Sequence, residues 1–196
     1  EILSETNHEN QEEIDTILEQ TEKLDFLIQS LVKLSRMESG IIAVHSEDTT
    51  IAQMFESIQQ QFNVKVREKS ITLSLCDTDL HVRCDSKWTV EALGNIVDNA
   101  IKYTACGGNV QIKVEQYSFF VKIDIIDDGI GIEKEEIPKI FGRFYRSLSV
   151  ADQPGVGIGL FLAREIIQAQ KGYIKVTSKR GKGSTFSVFL PIAKKE

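Results

Sequence analysis

Several absences narrow the reading of this 196-residue chain before any motif is considered. No apolar run approaches the roughly 20 residues that span a bilayer, and no secretory signal is visible. Cysteine is scarce: Cys76, Cys84 and Cys106 lack metal or redox spacing and read as small reduced residues of a cytosolic-type domain. Positive charge is not in excess either. Lysine plus arginine (23) against aspartate plus glutamate (29) leaves a net charge of −6, which argues against nucleic-acid binding, since phosphate contacts need clustered cations. The basic stretches at Lys179–Lys182 and Lys194–Lys195 read as a solvated turn and a tail. A Walker lysine is also missing, because "RGKGST" lacks the upstream glycine.

What is present fits one full domain with an attached element, with an apolar fraction of 41% that is ordinary for a folded protein. The chain opens at "EILSE" without a methionine, so it is expected to be part of something longer, and a membrane-anchored parent is compatible with it.

Residues 12–39 carry a heptad-like pattern. Ile14, Thr21, Ile28 and Ser35 fall seven apart, as do Ile17, Leu24, Leu31 and Glu38, and Leu18, Leu27, Val32 and Leu34 broaden the face. The pattern predicts a long amphipathic helix stopped near Gly40, one that needs other helices or a second subunit to bury its apolar face. A second amphipathic helix follows in "TIAQMFESIQQQFNVKV", and "ITLSLC" and "LHVRC" read as strands. "SKWTVEALGNIVDNAIKYT" reads as a helix capped by Ser86 and leaving through Gly107-Gly108. "VQIKVEQ" and "FFVKIDIID" alternate as a strand pair, "GIGLFLAREIIQAQ" as a helix, and "YIKVTS" and "STFSVFLP" as a closing hairpin. Helices segregated from a mostly antiparallel sheet imply an α+β sandwich.

Two glycine clusters raise different chemistry. In "GVGIGL" (residues 155–160) alternating glycines lead into a helix, so free N–H groups and the positive helix end face one space suited to phosphate. In "DDGIGI" (residues 127–132) two carboxylates precede the glycines and would repel an anion. A calcium loop counted from Asp124 fails at Ile126, which occupies a ligand position. A carboxylate at a strand end can instead accept from an exocyclic amine while glycines admit a flat ring, so Asp127 is read as facing a base. Asn95, Asn99 and Lys102 share one helix face next to Tyr103. Amide oxygens there suit Mg²⁺, and the lysine suits phosphate. "IFGRFYR" adds aromatic surface and Arg146, at the start of a polar lid-like connection from Ser147 to Pro154.

In order, "NIVDNAIKY", "DDGIGI", "IFGRFYR", "GVGIGL" and "GKGSTF" resemble the N, G1, F, G2 and G3 boxes of bacterial sensor histidine kinases. "EKLDFLIQSLVKLSRMESG" resembles the second helix of that family's dimerisation and phosphotransfer hairpin. The resemblance implies a two-layer α/β sandwich of the Bergerat type over residues 41–196, shared with gyrase, heat-shock chaperone and mismatch-repair ATPases, after a partial hairpin over residues 1–40. It implies ATP and Mg²⁺ as cofactors. Asp127 would hold the adenine amine, with Gly129, Gly131 and Ile132 shaping that pocket and Thr185 supporting it. Asn99 would bind the metal, with Asn95 assisting at the phosphates. Lys102 and Arg146 would contact phosphate, Tyr103 and Tyr145 would line the nucleotide pocket, and Gly155, Gly157, Gly159 and Leu160 would form the lid end.

Two departures stand out. Gln170-Lys171-Gly172 occupies the place where the family often has His-Gly-Gly, and is read as a surface change. The phosphoacceptor motif is absent, and His8, His45 and His81 read as surface residues. The chain is thus expected to bind ATP without labelling itself. In the intact parent it would serve a homodimeric kinase, cytoplasmic in this part, that phosphorylates a histidine and then a response-regulator aspartate. A stand-alone ATPase of the same superfamily and a non-catalytic nucleotide-binding scaffold are the alternatives.

Overall fold

The computed structural model describes residues 44–147, 150, 153 and 155–193, with residues 13, 14, 16–18, 20, 21, 24, 25, 27–29, 31, 32 and 35. The chain divides into two compact units, Glu1–Ala43 with Ala151–Val156, and Val44–Val150 with Gly157–Glu196. In the first unit the described residues between 13 and 35 are helical and form α1. Its expected apolar face is open: Ile17 is 63% exposed and Leu24 57%. Leu34, Glu38, the stop at Gly40, His8, "EILSE", parts of the Ser147–Pro154 connection and Lys194–Lys195 lie outside the described residues.

The second unit runs β1 (Glu47–Thr50), α2 (Ile51–Glu68), β2 (Thr72–Leu75), β3 (His81–Cys84), α3 (Ser86–Tyr103), β4 (Asn109–Gln116), β5 (Phe120–Asp127), α4 (Gly159–Ala169), β6 (Tyr173–Ser178) and β7 (Ser184–Pro191). Five strands form one sheet in the order β2-β4-β5-β7-β6, antiparallel except for the parallel β2-β4 pair. β1 and β3 make a separate antiparallel ribbon, bridged to the end of the sheet at Val82–Ile192.

The period-two alternation read from the sequence is the reason for two layers. Val110 and Ile112 of β4, Val121, Ile123 and Ile125 of β5, and Phe186, Val188 and Leu190 of β7 are buried. Over that face lie the apolar stripes of the helices, Ile51, Met54 and Ile58 on α2, Leu93, Ile96 and Ile101 on α3, and Leu162, Ile166 and Ile167 on α4. Burying each such side chain contributes about 1.5–3 kcal/mol. The other face carries polar residues with an aromatic cluster: Lys122 pairs with Glu115 (2.8 Å) and Asp124 (3.0 Å), and Tyr173 stacks on Phe189 with ring centroids 4.4 Å apart.

Four details differ from the sequence reading. The N-cap of α3 is Asp85, not Ser86: Asp85 keeps extended backbone and its Oδ1 accepts from the Trp88 N–H at 3.2 Å. The helix ends at Tyr103, with Thr104 as an extended C-cap ahead of Gly107-Gly108, because its last carbonyls find partners at once. Gln170 is not a surface residue; it is 3% exposed. Its Oε1 accepts from the Asp85 N–H at 2.6 Å and the Thr89 hydroxyl at 3.2 Å, and its Nε2 donates to the Ile166 carbonyl. The end of α4 abuts the start of α3, and a buried amide there must be satisfied. β1 has no signature in the sequence, because "EDTT" lacks apolar alternation.

Candidate nucleotide-binding site

Asp127 closes β5 and is 8% exposed. Its Oδ1 accepts two backbone N–H bonds, from Gly129 at 3.0 Å and Ser184 at 3.2 Å. Burial pushes its carboxyl above the usual range, although both bonds and their partial positive charge pull the other way. A buried carboxylate with both contacts on one oxygen is oriented to accept from a ligand amine through the other. The adjoining acid does different work. Asp128 is exposed and accepts from the Asn109 backbone (2.9 Å) and side chain (2.8 Å), which hold its carboxyl below the usual range and pin the turn to the start of β4.

The glycines let this turn lie against two other segments. A Cβ on Gly129 would stand 2.5 Å from the Tyr103 carbonyl oxygen, the same carbonyl that accepts from the Ile130 N–H at 3.2 Å. Gly131 is enclosed by the Lys179 backbone, and Ile130 accepts from the Gly181 N–H at 2.7 Å. Ile132 donates its N–H to Ser178 Oγ at 2.8 Å. The exposed basic turn at Lys179–Lys182 is therefore a backbone clamp on the Asp127 turn.

On α3, Asn95 and Asn99 are half-buried, and their amide nitrogens donate to carbonyls one turn back, Glu91 at 2.9 Å and Asn95 at 3.0 Å. That ties one N–H of each amide to its own helix and leaves the amide oxygens out of those bonds. α4 begins directly over this face: a Cβ on Gly159 would lie 2.9 Å from Asn95 Oδ1. One turn on, Lys102 Nζ sits 4.9 Å from the centre of the Tyr103 ring. Burial, and then the nearby Arg146 guanidinium, hold the Lys102 pKa below the usual lysine value. Tyr103 is raised by burial, with Arg146 opposing. Arg146 donates to the Val150 carbonyl at 2.9 Å, so it is tethered to the connection that follows it. Tyr145 donates to Glu136 at 3.3 Å, and burial with that carboxylate raises its pKa.

The structure thus brings Asn95, Asn99, Lys102, Tyr103, Asp127, Gly129, Gly131, Ile132, Tyr145, Arg146, Gly157, Gly159 and Leu160 into one compact unit. Gly157 packs on the backbone of Phe144 and Tyr145, and Leu160 is in the first turn of α4. Gly155 belongs to the other unit. Thr185 is displaced from its expected place: it pairs with Ile126, one residue out of step with Asp127, and so lies on the opposite face of the sheet. Ser184 is the residue opposite Asp127, and its N–H makes the contact. The sequence offered no signal for that register, since β5 and β7 pair across a long stretch of chain.

Comparison with known proteins places the chain in a family. The family described as histidine kinase-, DNA gyrase B-, and HSP90-like ATPase matches residues 84–194. The chain is 34% identical over 177 residues to the sensor histidine kinase WalK of Bacillus subtilis, covering 88% of this chain and 29% of that protein. It is 30% identical over 171 residues to the sensor protein kinase PmrB of Pseudomonas aeruginosa, covering 87% of this chain and 36% of that protein. It therefore spans about a third of the length of these curated relatives. The solved structure of the Acinetobacter baumannii histidine kinase AdeS superposes with a TM-score of 0.74 at 25% identity, covering 92% of this chain and 84% of that one. With its buried strand-end acid, its paired asparagines and its glycine-led fourth helix, the chain belongs to the histidine kinase-, DNA gyrase B- and HSP90-like ATPase family, as a catalytic ATP-binding domain of the bacterial sensor histidine kinase kind.

Proposed function

We propose that this chain is the catalytic region of a two-component sensor kinase, which directs the γ-phosphoryl of ATP to a histidine on a helical hairpin and thence to a response-regulator aspartate. The observation that carries the reading is Asp127, buried at the end of β5 with both of its backbone N–H bonds, from Gly129 and Ser184, on Oδ1. Burial first, and then the Arg146 charge, hold the Lys102 pKa down, and a polyanion bound beside the two cations would oppose both effects. Asp127, beyond Tyr103, supplies the acceptor for the adenine amine at the other end. Phosphoryl transfer depends mainly on positioning and charge neutralisation, which these residues provide.

The amide oxygens of Asn95 and Asn99, not used in the bonds to their own helix, fit Mg²⁺, a hard cation that takes oxygen ligands and keeps waters. Asn99 would hold the ion and Asn95 would assist at the phosphates. When bound, the ion neutralises phosphate charge. The α1 face would pair in a homodimeric parent, anchored in a membrane with this part on the cytoplasmic side. Among the described residues no helix is long and apolar enough to cross a membrane.

The test is to incubate the purified chain with γ-labelled ATP-Mg²⁺, alone and with a separate helical hairpin carrying a phosphoacceptor histidine. Label that is acid-labile and base-stable is expected on the hairpin and not on the chain. ATP hydrolysis with an unlabelled hairpin would favour the stand-alone ATPase instead.

The site's pH response follows from two of its shifted groups, Lys102 and Asp127. Anion binding needs Lys102 charged, and its lowered pKa means affinity falls on the alkaline side before an ordinary lysine would discharge. The amine contact needs Asp127 ionised, and its raised pKa means affinity falls on acidification sooner than for an ordinary carboxylate. ATP affinity measured against pH is expected to be bell-shaped, and Lys102→Arg should remove the alkaline limb alone. An alkaline limb that survives in Lys102→Arg would assign it to another group.

A further inference from the structure

Lys69, at the end of α2, reaches across to the end of α3. Its Nζ donates to the carbonyls of Ile101, Lys102 and Thr104, each 2.9 Å away. An ammonium has three hydrogens, and all three are engaged at one helix exit. The carbonyl accounting there then closes. Ala100 accepts from the Thr104 N–H, Tyr103 from the Ile130 N–H and Ala105 from the Gly108 N–H, and the other three carbonyls belong to Lys69. The Lys69 carbonyl in turn accepts from the Gly107 N–H at 3.0 Å. Helix C-terminal carbonyls ordinarily depend on a glycine-led reversal or on water, and a cation there also complements the helix dipole.

The turn so held is the one that carries Lys102 and Tyr103. Two of the carbonyls bound by Lys69 flank Tyr103, whose own carbonyl holds Ile130 of the Asp127 turn. We infer that Lys69 is a positioning residue for the nucleotide site: it fixes the exit of α3, so that Lys102 stays beside Arg146 and the Asp127 turn stays seated on Tyr103. The inference rests on reading Lys102 and the Asp127 turn as the nucleotide site. A capping lysine that served stability alone would not govern either position.

The experiment compares the wild-type chain with Lys69→Met, Lys69→Arg and Ile58→Val, the last a change at a fully buried residue of α2 outside the site. ATP-Mg²⁺ affinity is measured by calorimetry, and amide exchange is followed at Ile130. Lys69→Met is expected to weaken binding about tenfold and to speed exchange at Ile130, because charge-assisted bonds are lost at the helix end. Lys69→Arg should recover most of the affinity, while Ile58→Val should lower Tm and leave affinity unchanged. If Lys69→Met does not fold, Lys69→Gln carries the same comparison. Wild-type affinity in the neutral Lys69 variant, or an equal weakening by Ile58→Val, overturns the inference. Should the wild-type chain bind no ATP, the nucleotide-site reading falls with the inference's link to it. Exchange at Ile130 then decides separately whether Lys69 holds the turn.

Discussion

Asp127→Asn is expected to abolish ATP binding and, at neutral pH, to raise the melting temperature of the nucleotide-free chain. The two effects share one cause. Asp127 is 8% exposed, and desolvation raises its pKa despite two backbone N–H bonds to Oδ1. A carboxylate whose folded pKa is raised opposes folding when ionised. Its neutral form is therefore the one that favours the fold, an advantage fully present below the ordinary value of 3.8 and lost as pH rises through the raised folded value. An asparagine keeps an oxygen for Gly129 and Ser184 without that charge, so the melting temperature should rise at pH 7 and match wild type below the ordinary carboxylate range. Binding responds in the opposite sense. The asparagine can turn an N–H₂ donor toward an incoming amine, and a buried site mismatched in this way loses affinity by at least about a hundredfold. Calorimetry with ATP-Mg²⁺ and thermal melts at the two pH values check both halves. Retained affinity in the variant would remove Asp127 from base recognition; a lower melting temperature at pH 7 would show that its burial carries no cost.

Gly183→Ala is expected to lose about 2–4 kcal/mol of stability, from a left-handed backbone joined to a steric collision. Gly183 has φ 83°, and a Cβ there would be driven into the Asp127 carbonyl oxygen. Relief requires the β6–β7 turn to pull away from the end of β5, which also withdraws the Ser184 N–H from Asp127. Gly181, in the same turn, is the control. It has φ 73° with open space around its Cβ position, so Gly181→Ala should show only the backbone cost of about 1 kcal/mol. Urea unfolding of both variants separates the contributions, and equal losses would mean that the close approach at Gly183 is immaterial.

The elements were legible where one periodicity ran long enough. α3 and α4 were readable from spaced apolar residues, and β4, β5 and β7 from strict alternation, because each buries one face against the other layer. The face shared by Asn95, Asn99 and Lys102 was readable for the same reason, since helical spacing is local. β1 was not, because four polar residues become a strand only through pairing with β3. Nor was Gln170: nothing in "AQKGY" reveals that α4 ends against the first turn of α3.

The sequence by itself determined the layer architecture and the order of the motifs, both consequences of composition and short-range period. Only the tertiary structure decided that Asp128 is tied to Asn109 while Asp127 is buried on the Gly129 and Ser184 N–H groups, that Ser184 rather than Thr185 stands opposite Asp127, and that Lys69 closes the exit of α3. Each of those depends on which backbone groups meet across long separations in the chain. Strand register and buried hydrogen-bond satisfaction set those meetings, and neither leaves a local trace in the order of residues.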